Sequence, residues 1–150
     1  AARLRAGRDV VVLCEGDPFF YGSFMYLFGR LSGEFACEIT PGVSSMAAAS
    51  AVAARPLCAR NEVLSVLPGT LPEAELEARL AAGGAFAILK VGRRLGRLRA
   101  AIEAAGLGEG AVYVGHASLA RQVVAPLAEA PEEAPYFSMI LVPGRDPHVG

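Results

Sequence analysis

Val10-Val11-Val12-Leu13-Cys14 runs directly into Glu15-Gly16-Asp17-Pro18-Phe19-Phe20-Tyr21-Gly22, and this junction decides how the fold is read. A short continuous apolar run rich in β-branched residues, closed by a Gly/Pro turn, fits a strand buried on both faces of a sheet. Helical spacing follows at once. Met25, Phe28 and Leu31 fall on one face of a helix predicted over Gly22–Leu31, with Gly33 near its end. Strand, glycine-bearing loop and helix form the unit from which α/β proteins are assembled.

The same alternation continues outward. Cys37–Thr40 reads as a second strand closed by Pro41-Gly42, ahead of a helix from about Ser44 to Ala53 built almost wholly of alanine and serine. Arg55-Pro56-Leu57 breaks the pattern, so a domain boundary is expected near Leu57–Asn61, with domains over residues 1–57 and 62–150. The alternation then restarts with a strand at Val63–Leu67. Thr70 and Glu73 have the spacing of a capping box for a helix running to about Ala82 and stopping at Gly83-Gly84. Ala85–Lys90 reads as a strand, and Leu95, Leu98, Ile102 and Ala105 follow helical spacing up to Gly106. Ala111–Val114, Val123–Leu127 and Phe137–Val142 read as further strands. The expected class is therefore α/β with mainly parallel sheets.

Composition narrows the function. The chain has 150 residues, of which 53% are hydrophobic, enough to fill a core. A net charge of −1 gives no bulk attraction to nucleic acid or anionic lipid, and no apolar run reaches membrane-spanning length. Cys14, Cys37 and Cys58 are odd in number and widely spaced, and the histidines are His116 and His148. No disulfide framework or metal site is expected, and three reduced thiols suit a cytoplasmic protein.

Ligands of open α/β sheets sit at the carboxyl ends of strands, which directs attention to three loops. In Glu15–Tyr21, glycine permits close backbone approach to a ligand, and Asp17 either meets a small zwitterion or satisfies its own turn. In Pro41–Ser45, Ser44 either caps the next helix or helps bind a carboxylate there. In Lys90–Arg94, main chain at the strand end could meet an adenine edge and Arg93 or Arg94 a carboxylate, or the segment is a solvated basic turn. His116 and His148 read as loop or surface residues.

Four stretches together resemble a known family. Leu13-Cys14-Glu15-Gly16-Asp17-Pro18-Phe19-Phe20-Tyr21-Gly22 is similar to the second motif of the tetrapyrrole methylases. Pro41-Gly42-Val43-Ser44-Ser45, with the Ala-rich helix and Arg55-Pro56-Leu57, resembles their third motif, and Leu89-Lys90-Val91-Gly92-Arg93 their fourth. Tyr136–Val142 resembles their closing strand. The form of the Cys14–Leu27 stretch, with Asn61–Pro72, looks like the branch acting on C20 of precorrin-2.

The resemblance implies two α/β domains in a homodimer, with S-adenosylmethionine as methyl donor and precorrin-2 or its cobalt form as substrate in cobalamin biosynthesis. It implies donor contacts from Glu15, Gly16, Asp17 and Phe20, from Ser44 and Ser45, from the backbone of Val91, and from Ala117. Gly115-His116-Ala117-Ser118 departs from the family's usual Glu-Arg-Ala-Thr form. Arg93 and Arg121 are candidate anchors for substrate carboxylates. Either a base later removes a proton or the ring redistributes it, and the resemblance assigns no base. The family's Gly-rich first motif has no counterpart here, so an incomplete N-terminal domain with poor activity by itself is expected. Two alternatives stand beside this reading: a relative with a different ring carbon or a macromolecular substrate, and a remnant that binds a nucleoside without catalysis.

Overall fold

A computed structural model describes residues 1–144. It divides into two compact units, Ala1–Ser45 and Met46–Gly150. Among the described residues no helix is long and apolar enough to cross a membrane.

The first unit contains helices α1 (Ala2–Arg5) and α2 (Phe24–Leu31) joined by irregular chain and turns. Phe19, Phe24 and Phe28 cluster, with the Phe19 and Phe28 rings edge-on at 5.0 Å. The i,i+4 spacing of Phe24 and Phe28 puts both rings on one face of α2. Arg5 makes a two-pronged ion pair with Glu34, Nε to Oε1 at 2.7 Å and the second nitrogen to Oε2 at 2.9 Å. That hydrogen bond holds the Glu34 carboxyl below its ordinary range and raises the Arg5 guanidinium.

The expected strands at Val10–Cys14 and Cys37–Thr40 do not form: both segments are extended but unpaired among the described residues. A strand exists only as part of a ladder. Without a neighbour to pair with, Val11 stays 82% exposed and Leu13 91% exposed.

The second unit begins in helix α3 (Ser45–Val52). It continues through β1 (Leu64–Pro68), α4 (Glu73–Ala81), β2 (Ala85–Leu89), α5 (Leu95–Ala104), β3 (Val112–Gly115), β4 (Val123–Pro126) and β5 (Ser138–Val142). The expected boundary at Leu57–Asn61 falls in the irregular stretch between α3 and β1. The strands form one sheet in the order β1-β2-β5-β3-β4.

The α/β class holds, but the expectation of a mainly parallel sheet is corrected. Only β1 and β2 pair in parallel, while β2–β5, β3–β5 and β3–β4 are antiparallel. The crossover through α4 produces the parallel pair, whereas β3 and β4 are joined by a loop too short for a crossover helix.

Register explains the core. Ile88 and Tyr113 both lie opposite Ile140, and Phe86 lies opposite Val142, so these side chains share one face of the sheet. Leu76 and Leu80 of α4 and Leu95, Leu98 and Ile102 of α5 complete that cluster. Their i,i+3 and i,i+4 spacing gives each helix one apolar stripe. The opposite face, with Ala85, Ala87, Leu89, Val114 and Leu141, is buried as well. Burial on both faces accounts for the unbroken apolar run of β2.

The capping box does not form. Pro72 occupies the N-cap, α4 starts at Glu73 and no side chain caps it. Thr70 instead lies in a turn where Leu71 N–H bonds the Pro68 carbonyl at 3.0 Å. Arg97 then donates to the carbonyls of Gly69 and Leu71, at 2.8 and 3.1 Å, and fixes that turn from α5.

Leu98 is fully buried, so Leu98→Ala should destabilise the protein by about 2–5 kcal/mol in urea unfolding. Leu13→Ser, at an exposed site, should cost about 0.5 kcal/mol or less. Burial raises the Tyr113 phenol above its ordinary value, against a smaller lowering by the hydrogen bond with Ser138. The folded state thus favours the neutral phenol, a contribution complete below about pH 10, the unfolded value, and lost as pH rises beyond it. In Tyr113→Phe, the decline of stability above that pH should be shallower, as read by unfolding curves at successive alkaline pH values.

Candidate functional site

The Gly-Asp-Pro loop of the first unit is built around one carboxylate. Asp17 Oδ1 accepts the Phe19 N–H at 2.9 Å, closing an Asx turn. Asp17 Oδ2 accepts the Gly42 N–H at 3.1 Å and ties this loop to the Pro41–Ser45 loop. The two loops approach so closely that only glycine fits. A Cβ on Gly42 would collide with the Gly16 carbonyl oxygen and lie 3.2 Å from the Asp17 Cα. Gly16 has φ +78°, and a Cβ there would lie 3.3 Å from the Val43 carbonyl oxygen.

Both Asp17 oxygens already accept main-chain hydrogen bonds, so Asp17 positions backbone and the loop offers main chain. Glu15 and Gly16 are exposed, and Phe20 is half-buried with its ring perpendicular to Tyr21 at 5.1 Å. Tyr21 adopts φ +54°, a left-handed conformation uncommon for a bulky side chain. Ser44 is half-buried just before α3, and Ser45 opens that helix.

In the second unit, the loops after β2 and β3 leave the same end of the sheet, because both strands run antiparallel to β5 between them. After β2 the chain turns through Lys90 at φ +56° and Gly92 at φ +44°. Gly69 N–H bonds the Leu89 carbonyl at 2.6 Å, and the Val91 carbonyl accepts from Arg94 N–H at 3.0 Å. Val91 is completely buried, main chain included, so the structure does not present it on the surface as the resemblance implied. Arg93 is exposed beside it.

After β3 come Gly115, His116, Ala117 and Ser118, with left-handed φ at His116 and Ser118. Ala117 is half-buried between them, and Arg121 is exposed further along the loop. His116 is half-buried in this loop; His148 lies outside the described residues. Beside it lies an open depression of about 420 Å³, lined by Tyr113, Gly115, His116, Val123, Glu133 and Pro135 among others. Sequence reading missed Tyr113 as a wall of this depression, since its pattern marks it only as a strand residue. Among the described residues no cluster of His, Cys, Asp or Glu could hold a metal ion.

Known proteins share this arrangement. The chain is 50% identical over 145 residues to a precorrin-2 C(20)-methyltransferase from Sinorhizobium sp, covering 96% of this chain and 59% of that protein. It is 35% identical over 144 residues to a cobalt-precorrin-2 C(20)-methyltransferase from Salmonella typhimurium, covering 94% of this chain and 61% of that one. The chain thus spans about three fifths of the length of these relatives. The crystal structure of a cobalt precorrin-4 methyltransferase, CbiF, superposes with a TM-score of 0.76 at 26% identity, covering 95% of this chain and 66% of that one. Residues 1–131 match the family model of the tetrapyrrole (corrin/porphyrin) methylases, and the chain belongs to that family.

Proposed function

We propose that this chain forms part of an enzyme that transfers a methyl group from S-adenosylmethionine to C20 of precorrin-2 in cobalamin biosynthesis. The observation that carries this reading is the 50% identity to the Sinorhizobium relative of that name over nearly the whole chain. The substrate is precorrin-2 or its cobalt form, the two for which these relatives are named.

The residues present suit such a donor. S-adenosylmethionine supplies an electrophilic methyl group on a sulfonium when bound. The Glu15–Asp17 loop with Phe20 offers exposed main chain for its amino-acid end, held in shape by the two Asp17 hydrogen bonds. Ser44 and Ser45 stand where the chain enters α3 and offer hydroxyls and helix N–H groups to a carboxylate. Ala117 offers a small side chain that lets a ligand approach, whereas backbone contact with adenine at the buried Val91 requires the Lys90–Arg94 turn to open. Arg93 and Arg121 are exposed cations able to pair with the carboxylates of a tetrapyrrole. The chemistry asked of the protein is chiefly alignment of donor and acceptor, a proximity effect worth up to about 7–11 kcal/mol. The same reading takes residues 1–57 and 62–150 as two domains, a homodimer as the working unit and the cytoplasm as its place, where the exposed thiols Cys14, Cys37 and Cys58 remain reduced.

Two experiments test this. The full-length protein, given precorrin-2 and S-adenosylmethionine, should yield a product heavier by one methylene unit by mass spectrometry, methylated at C20 by NMR; no methylated product would overturn the reading. In calorimetry, Asp17→Ala and Gly42→Ala should each weaken donor binding about tenfold or more, because each separates the two loops; unchanged affinity in both would remove them from the site.

A further inference from the structure

His116 combines a strained backbone with an unsatisfied side chain. Its backbone is left-handed, φ +49°, and so is that of Ser118, φ +64°, a conformation unfavourable for any residue with a Cβ. Two hydrogen bonds hold the strained turn: His116 N–H to the Phe137 carbonyl at 2.8 Å, and Ser118 N–H to the Gln122 side-chain oxygen at 2.7 Å. The imidazole Nδ1 is buried without a hydrogen-bond partner among the described residues. Buried polar atoms are nearly always paired, and an exception in a strained loop points to a function.

The surroundings give that nitrogen something to act on. His116 lines the open depression beside β3, with the Tyr113 phenol and the Glu133 carboxylate as the other titratable groups of its wall. Gly115 leaves room for the Tyr113 hydroxyl, which a Cβ at 115 would approach to 2.9 Å. Imidazole is the side chain most often used to take up and return protons in catalysis.

We propose that His116 is the proton acceptor of the methyl transfer, an inference that rests on the function proposed above. As C20 attacks, its bond to the methyl carbon forms and the sulfur–methyl bond breaks, the electron pair staying on sulfur. C20 then carries both the methyl group and its original hydrogen, and the macrocycle has gained one positive charge. The His116 Nδ1 lone pair takes that hydrogen as a proton, and the C–H electron pair returns to the ring system. The imidazolium releases the proton to solvent through the open side of the depression. Because Nδ1 is buried, this step requires the imidazole to turn about Cβ–Cγ toward that space.

The test is chemical rescue in the full-length protein. His116→Gly suits the left-handed backbone and leaves space for a free base; His116→Asn tolerates the same backbone but supplies no base. In both variants kcat should fall about 10²–10⁴-fold, with donor affinity by calorimetry and KM for precorrin-2 within about threefold of wild type. Added imidazole should restore turnover in His116→Gly and not in His116→Asn. Quenched single turnovers should show S-adenosylhomocysteine formed before the C20 hydrogen is lost. The proposal is overturned if His116→Gly keeps its kcat within about threefold, if imidazole fails to restore it, or if the loss lies in donor affinity or KM. Wild-type protein that binds the donor but leaves precorrin-2 unmethylated overturns the proposed function and this step with it; active wild type with no rescue overturns this step alone.

Discussion

Strand β5 holds the larger unit together. It lies between β2 and β3 and pairs antiparallel with both, so the sheet is continuous only because this last strand returns to its centre. Ile140 stands in one row with Ile88 and Tyr113, and Val142 faces Phe86. The side chains over which α4 and α5 pack therefore come from segments more than fifty residues apart. Removing β5 would open two strand edges and split that face. The loops after β2 and β3 also owe their common exit to β5, because it orients both strands the same way.

The smaller unit depends on a different constraint, the close approach of two backbone segments. Gly16 and Gly42 meet with no room for a side chain, and Asp17 joins them by accepting amide hydrogen bonds with both carboxylate oxygens. Hydrogen bonds from a charged acceptor are stronger than neutral ones. One acidic residue thereby determines the shape of two loops while leaving their main chain available. It also explains why a Gly-Asp-Pro sequence serves here: glycine for approach, aspartate for the tie, and buried Pro18 for a fixed turn.

Left-handed residues mark several loops of the molecule. Tyr21 lies in the Gly-Asp-Pro loop, Lys90 ends β2, and His116 and Ser118 flank Ala117. Each is a residue with a Cβ where glycine would be easier, so each conformation is imposed by its surroundings. At His116 the imposing contact is identified, the hydrogen bond to Phe137 at the start of β5. The strand that organises the core thus also fixes the conformation of the loop that follows β3.

By itself the sequence determined the α/β class, the helices and strands from α2 to β5 within a residue or two, and the loops of interest. Those features are local: the stripe of Leu95, Leu98 and Ile102, the apolar run Ala85–Leu89, and the Gly/Pro turns each carry their own period or stereochemistry. Sequence also made the family legible, through motifs in register. Tertiary structure decided what depends on partners distant in the chain. Val10–Cys14 has every local mark of a strand and is not one, because a ladder needs a second edge. Thr70 has the spacing of a cap and is not one, because Arg97 and Pro72 fix the turn otherwise. The antiparallel entry of β5, the Asp17–Gly42 hydrogen bond and the unpaired Nδ1 of His116 leave no periodic trace, since each arises only when residues far apart in sequence are brought within ångströms by the fold.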